Sequence, residues 1–74
     1  MGYILQLKKD IVENGVYTVE TDITGTIEFP SGDRFNLIEG TITISDERWT
    51  FDLKVSNDAA SGTVTGTKPY VLFE

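Results

Sequence analysis

Glu20 and Asp22 are the residues of this chain best spaced for chemistry. Two carboxylates two positions apart on an extended strand point the same way, about 7 Å from each other. Glycoside hydrolysis requires two carboxyl groups about 5–10 Å apart across a sugar. The same pair arises on any acidic, solvated strand face, and a chain of 74 residues has little room for a closed cleft. The solvated face is therefore the preferred reading. The sequence contains no histidine and no cysteine. That removes Ser-His-Asp and Cys-His arrangements, the histidine base, and the thiolate or imidazole ligands of zinc sites. No catalytic residue is assigned, and a non-enzyme is expected.

Oxygen ligands for calcium are present at Asp33, Asp46, Glu47 and Asp58, all in turn-like segments. They lack EF-hand spacing, and Asp is an ordinary turn residue because its side chain satisfies local backbone donors. No metal or cofactor is assigned. Arg34, Arg48 and Lys54 are candidate anion contacts, with Trp49 or Tyr17 as a stacking surface. Together they would suit a nucleotide, a metabolite or a sugar at a barrel mouth or between identical subunits. Against this, Trp49 opens an alternation with Phe51, Leu53 and Val55, and Tyr17 opens one of its own. A core or rim anchor is the simpler role for both. Glycine–threonine pairs recur at Gly25, Gly40, Gly62 and Gly66, but none has the glycine-lysine ending of a phosphate loop.

Six Lys/Arg against twelve Asp/Glu give a net charge of −6. Bare nucleic acid and anionic membranes both demand positive charge, so neither is an expected partner. An acidic face that docks on a basic protein surface, even as a nucleic-acid mimic, is compatible with the charge. The acids are scattered among the bases, however, which favours plain solubility. The absence of cysteine suits a reducing compartment. The first residues lack the basic start and cleavage site of a signal peptide, and no apolar run reaches membrane-spanning length. A soluble, cytoplasmic protein is expected.

The elements that must position these residues are strands. From Tyr17 to Phe29 every odd residue is apolar or small and every even one polar, the period of a strand with one buried face. Five strands are predicted: Tyr3–Lys8, Val16–Phe29, Arg34–Ser45, Trp49–Ser56 and Thr63–Phe73, the last interrupted by Pro69. In the third, apolar parity changes from Phe35 and Leu37 to Ile38, Ile42 and Ile44, which places a bulge or bend near Leu37–Gly40. Asp10–Gly15 reads either as a single capped helical turn or as a wide hairpin loop. With no amphipathic helix to cover it, a sheet with one apolar face must curl or stack. The expected fold is one all-β domain over residues 1–74, an antiparallel meander curled into a small barrel or compact sandwich.

The terminal strands carry the strongest functional hint. Tyr70-Val71-Leu72-Phe73 is apolar on both faces, and Ile4 faces opposite to Leu5 and Leu7. Ile4, Val71 and Phe73 are expected on the outer face, needing cover from the Asp10–Asn14 loop (through Ile11 and Val12) or from another chain. The leading expectation is a non-catalytic acidic interaction module that occupies a surface of a partner protein, or of a second copy. Its apolar contacts would be Ile4, Val71 and Phe73, and its charged face Glu20, Asp22 and Glu28. Such a size fits an inhibitor or accessory subunit of bacterial, phage or other mobile-element origin.

Overall fold

The computed structural model describes residues 2–74, which form seven strands and no helix. They are β1 (Ile4–Leu7), β2 (Gly15–Thr18), β3 (Gly25–Glu28), β4 (Arg34–Ser45), β5 (Arg48–Ser56), β6 (Ser61–Thr67) and β7 (Tyr70–Phe73). There are seven rather than five because the second and last expected strands are each broken. β1, β3, β4, β5 and β6 lie side by side and antiparallel in chain order, with β2 pairing the second half of β4. This is the expected meander with one addition: β7 returns to lie parallel to β1.

The sheet order is therefore β6-β5-β4-β3-β1-β7, with the two ends of the chain side by side. The Cα radius of gyration is 11.2 Å, close to the ~11 Å of a packed domain of this length, so the sheet is curled on itself rather than flat. It is not a closed barrel, because β6 and β7 form its two edges and do not pair with one another.

Alternation builds the core. On β5, Phe51, Leu53 and Val55 are buried while Thr50, Asp52 and Lys54 are exposed. On β4 the register against β5 skips between Leu37 and Glu39, which carries burial from Leu37 to Ile42 and Ile44. Ile38, grouped with the inward set by sequence, sits in the skip and is exposed, because the bulged residue turns outward. Gly40 follows with φ +120°, and a Cβ there would collide with the Asp52 carbonyl oxygen. Only glycine meets both demands. Leu5, Leu7, Ile27 and Val64 complete the interior from β1, β3 and β6, and no polar or charged side chain is buried among the described residues. At one end Tyr3 sets its ring edge-on to Phe29 and Phe51, with centroids 5.4 and 5.3 Å away.

The expected continuous strand Val16–Phe29 breaks between Thr18 and Gly25. The Asp22 carboxylate accepts a hydrogen bond from the Thr18 N–H at 2.7 Å, and the Asp22 N–H returns one to the Thr18 carbonyl at 2.8 Å. Glu20, at φ +76°, donates its N–H to the Ile23 carbonyl. Val19 and Ile23 both stay buried, so the loop is a packed part of the wall. Asp10–Asn14 forms no helical turn; it is a wide loop but not a hairpin, since β1 and β2 do not pair, and it buries Ile11 in the core while Val12 stays in solvent.

Candidate functional site

Lys68 and Pro69 determine what the end of the chain can do. Lys68 donates its N–H to the Trp49 carbonyl at 2.9 Å, the last bond of β6 to β5. Its φ of +52° then turns the chain, and Pro69 has no N–H to continue the ladder. Inward parity flips at this point, from even on β6 (Val64) to odd on β7. Tyr70 and Glu74 donate to the Tyr3 and Leu7 carbonyls, each at 2.8 Å, so even-numbered residues of β7 address β1. The N–H and C=O groups of Val71 and Phe73 consequently point the other way, along an edge that no strand covers.

The register across β3, β1 and β7 fixes the faces. Ile27, Leu5 and Val71 lie in one row and Gly25, Leu7 and Phe73 in another, both on the inner side. Glu28, Ile4 and Tyr70 form an outer row, followed by Thr26, Gln6 and Leu72. This corrects the expected grouping by face, since Ile4 is on the outer face whereas Val71 and Phe73 share the rows of Leu5 and Leu7, although Phe73 is still 38% exposed at the edge. The outer apolar residues are Ile4, Tyr70 and Leu72, of which Tyr70 is 67% exposed. β7 does carry apolar side chains on both faces; the faces are exchanged because parity acquires meaning only once the strand has a neighbour.

On the inner side of the β7 edge an open cleft of about 490 Å³ separates β7 from the start of β5. It is lined by Val12, Ile44, Trp49, Pro69, Tyr70, Val71 and Phe73, with Glu47 its charged member. Phe73 leans on Trp49, ring centroids 6.5 Å apart. Glu47 is held there by the tight turn joining β4 to β5, in which Asp46 and Glu47 both have positive φ, the geometry of a two-residue hairpin. Asn14 clasps that turn by accepting the Asp46 N–H at 2.9 Å. Val12, on the loop expected to cover the terminal strands, reaches the cleft rim but remains 73% exposed.

The acidic residues do not make one face. Glu20 and Asp22 lie in the loop before the Gly25 end of β3, where Asp22 is occupied by the Thr18 amide. Glu28 is at the opposite end of β3, paired with Arg34 at 2.9 Å and beside Ile4. The glycosidase-like pair is thereby dismantled, since its two carboxylates do not sit on a strand at all.

The anion and stacking residues disperse as well. Arg34 begins β4, whereas Arg48 pairs with Ser45 at its far end. Lys54 is engaged with Glu39 at 3.1 Å, and the Tyr17 hydroxyl donates to the Glu13 carbonyl at 2.6 Å. Arg48 and Trp49 alone stay together, in a second notch of about 330 Å³ with Thr50, Thr67 and Lys68. Asp33 and Asp58 lie at turns away from Asp46 and Glu47, and the described residues contain no group of three or more potential metal ligands. No helix among them is long and apolar enough to cross a membrane.

Sequence reasoning missed Val12, Lys68, Tyr70 and Leu72 as site residues. The apolar pairing of Tyr70 with Leu72 was the available signal. No protein-family model, curated protein or solved structure matches this chain.

Proposed function

We propose that this is a non-catalytic protein-interaction module, a small inhibitor or accessory subunit that works by occupying the surface of a partner protein. The observation that carries the reading is the β7 edge: unpaired backbone groups at Val71 and Phe73, flanked by exposed Tyr70 and Leu72 and a cleft with Val12, Trp49 and Phe73 in its wall. Natural sheets protect such edges with charge, bulges or cover, and Tyr70–Phe73 carries no charge of its own. Apolar anchors beside a polar rim are the usual energetic centre of an interface. The test is capture from a host lysate by the tagged chain, side by side with Leu72→Lys and Tyr70→Ser. A specific partner that the wild type retains and both variants lose supports the reading. No capture, together with a strictly monomeric mass in light scattering, sinks it.

A second reading is favoured by one observation, the Arg48–Trp49–Lys68 notch, which brings two cations and two threonine hydroxyls beside an indole and contains no carboxylate. It would suit an anionic nucleotide or metabolite. A thermal-shift screen decides, because a ligand at a hundred times its dissociation constant adds about 2.7 kcal/mol to stability. Absence of any shift with nucleotides, sugar phosphates and inorganic phosphate removes this reading.

A further inference from the structure

Resting on the interaction reading above, we infer the form of the partner: an extended, cationic peptide segment that adds to β7 as a new strand. Three features converge. The outward N–H and C=O groups of Val71 and Phe73 lie one residue apart along the edge, a spacing that only another extended backbone can satisfy in full. Apolar side chains (Val12, Trp49, Val71, Phe73) line one part of the cleft beside that edge, so alternate side chains of the added strand would have a place to bury. The charged residue lining it is Glu47, on a chain of net charge −6.

That charge separates the possible occupants. A second copy would bring its own −6 and its own Glu47 to the edge, whereas a Lys- or Arg-flanked segment is drawn in by the long-range field and held with its basic flank at Glu47, away from Arg48 and Lys68 in the neighbouring notch. Pro69 limits the added strand at one end, because it offers no donor beyond Tyr70. The partner segment is therefore short, apolar at alternate positions and basic at its flanks.

The experiment selects peptides from a random display library on the immobilised full chain. It then compares their affinity for the wild type, for Glu47→Lys, and for a synthetic chain N-methylated at Phe73. The methyl group removes one edge donor while leaving every side chain and the bonds to β1 in place; circular dichroism checks that the fold persists. Enriched peptides should alternate apolar residues and carry net positive charge. Their binding should fall about tenfold on N-methylation, the factor equivalent to one ordinary hydrogen bond. It should weaken further in Glu47→Lys and with added salt.

Peptides that bind the N-methylated chain as well as the wild type, or that are acidic, overturn the strand-addition proposal while leaving an interaction module intact. So does concentration-dependent dimerisation abolished by the same methyl group, which would make a second copy the occupant. An empty selection, alongside no capture from lysate, overturns both this proposal and the function on which it rests.

Discussion

At Glu20–Thr24 and again at Lys68–Pro69 the chain leaves a strand and resumes one in the same direction, and the two interruptions end differently. The first closes on itself. Asp22 and Thr18 exchange hydrogen bonds, Val19 and Ile23 remain buried, and the strand resumes against the same neighbour, β4. The second changes neighbour, from β5 to β1, and inverts which residues face inward. Between Val19 and Ile23 lie three residues, so inward parity is preserved and the sheet continues as one wall. Between Val64 and Val71 lie six, so parity is inverted, and at this break the chain crosses to the other edge. The break that stays against β4 is repaired within the sheet, whereas the one that changes neighbour leaves an open seam. The parity change at Leu37–Glu39, absorbed by a bulge against β5, shows that the change of neighbour is what matters. The seam leaves the outward backbone groups of Val71 and Phe73 unpaired beside apolar side chains, whereas the other end of the sheet, β6, is built of Ser, Thr and Gly around Val64.

Truncating an inward residue at each break should separate them most. Ile23 is 3% exposed, and Ile23→Ala is expected to lower stability by about 3 kcal/mol, through lost burial and a cavity that the surrounding strands cannot collapse. Val71 is half-buried at the seam, and Val71→Ala should lose less than about half as much. Urea denaturation of both variants measures the ratio. Equal losses would mean that the seam is as well packed as the wall, and the contrast between the breaks would collapse.

The polar closure of the first break gives the next effect. Asp22→Ala removes the acceptor of the Thr18 amide and is expected to cost about 1 kcal/mol, a value kept low because the site is solvent-exposed. Asp22→Asn should recover most of it, since an amide oxygen can still accept. No effect in Asp22→Ala would show that the loop is held by Val19 and Ile23 alone.

Both breaks contain a non-glycine residue at positive φ, Glu20 at +76° and Lys68 at +52°. Replacing either by glycine relieves left-handed strain but adds freedom to the unfolded chain. Glu20→Gly and Lys68→Gly are each expected to shift stability upward by about 0.5 kcal/mol, readable as a small rise in melting temperature. A clear loss in Lys68→Gly, with none in Glu20→Gly, would mean that the Lys68 side chain contributes contacts at the notch with Trp49 that outweigh its strain.

The two breaks also mark where the sequence was legible. β5 could be read residue by residue because Phe51, Leu53 and Val55 face one environment throughout and Thr50, Asp52 and Lys54 the other. The bulge in β4 was legible as a change of parity between Leu37 and Ile42. The loop at Glu20–Thr24 was hidden for the opposite reason: Val19 and Ile23 keep the odd parity of an unbroken strand. Its trace was the run Glu20-Thr21-Asp22, whose central residue occupies an inward position with a polar side chain and is in fact exposed. At the C-terminal strand, two-sided apolarity was visible in Tyr70–Phe73, but which face was inner was not. That depended on a parallel partner, Ile4–Leu7, more than sixty positions away in sequence. The cleft was out of reach for the same reason, since Val12, the Glu47–Trp49 hairpin and Val71 come from three separated segments.

The smallest effect on folding should accompany the largest on binding. Leu72 points outward beside Gln6 and is 43% exposed, so Leu72→Lys removes little buried area and should change stability by less than about 0.5 kcal/mol. Its backbone bonds are directed at β1, and the variant therefore leaves the unpaired groups of Val71 and Phe73 untouched. What it changes is the apolar outer row and the charge beside it: a lysine at the edge is how natural sheets deter strand addition, and it would also repel a basic partner. Hydrogen exchange supplies the control. The Val71 and Phe73 amides should exchange quickly in wild type and variant alike, and the Tyr70, Leu72 and Glu74 amides slowly in both, because only the latter donate to β1. With that pattern intact, loss of partner binding in Leu72→Lys is attributable to the surface of β7 and not to its unfolding. If the amides of all five residues exchange at one rate, β7 is not docked as a strand, and the asymmetry between the repaired break and the open one disappears.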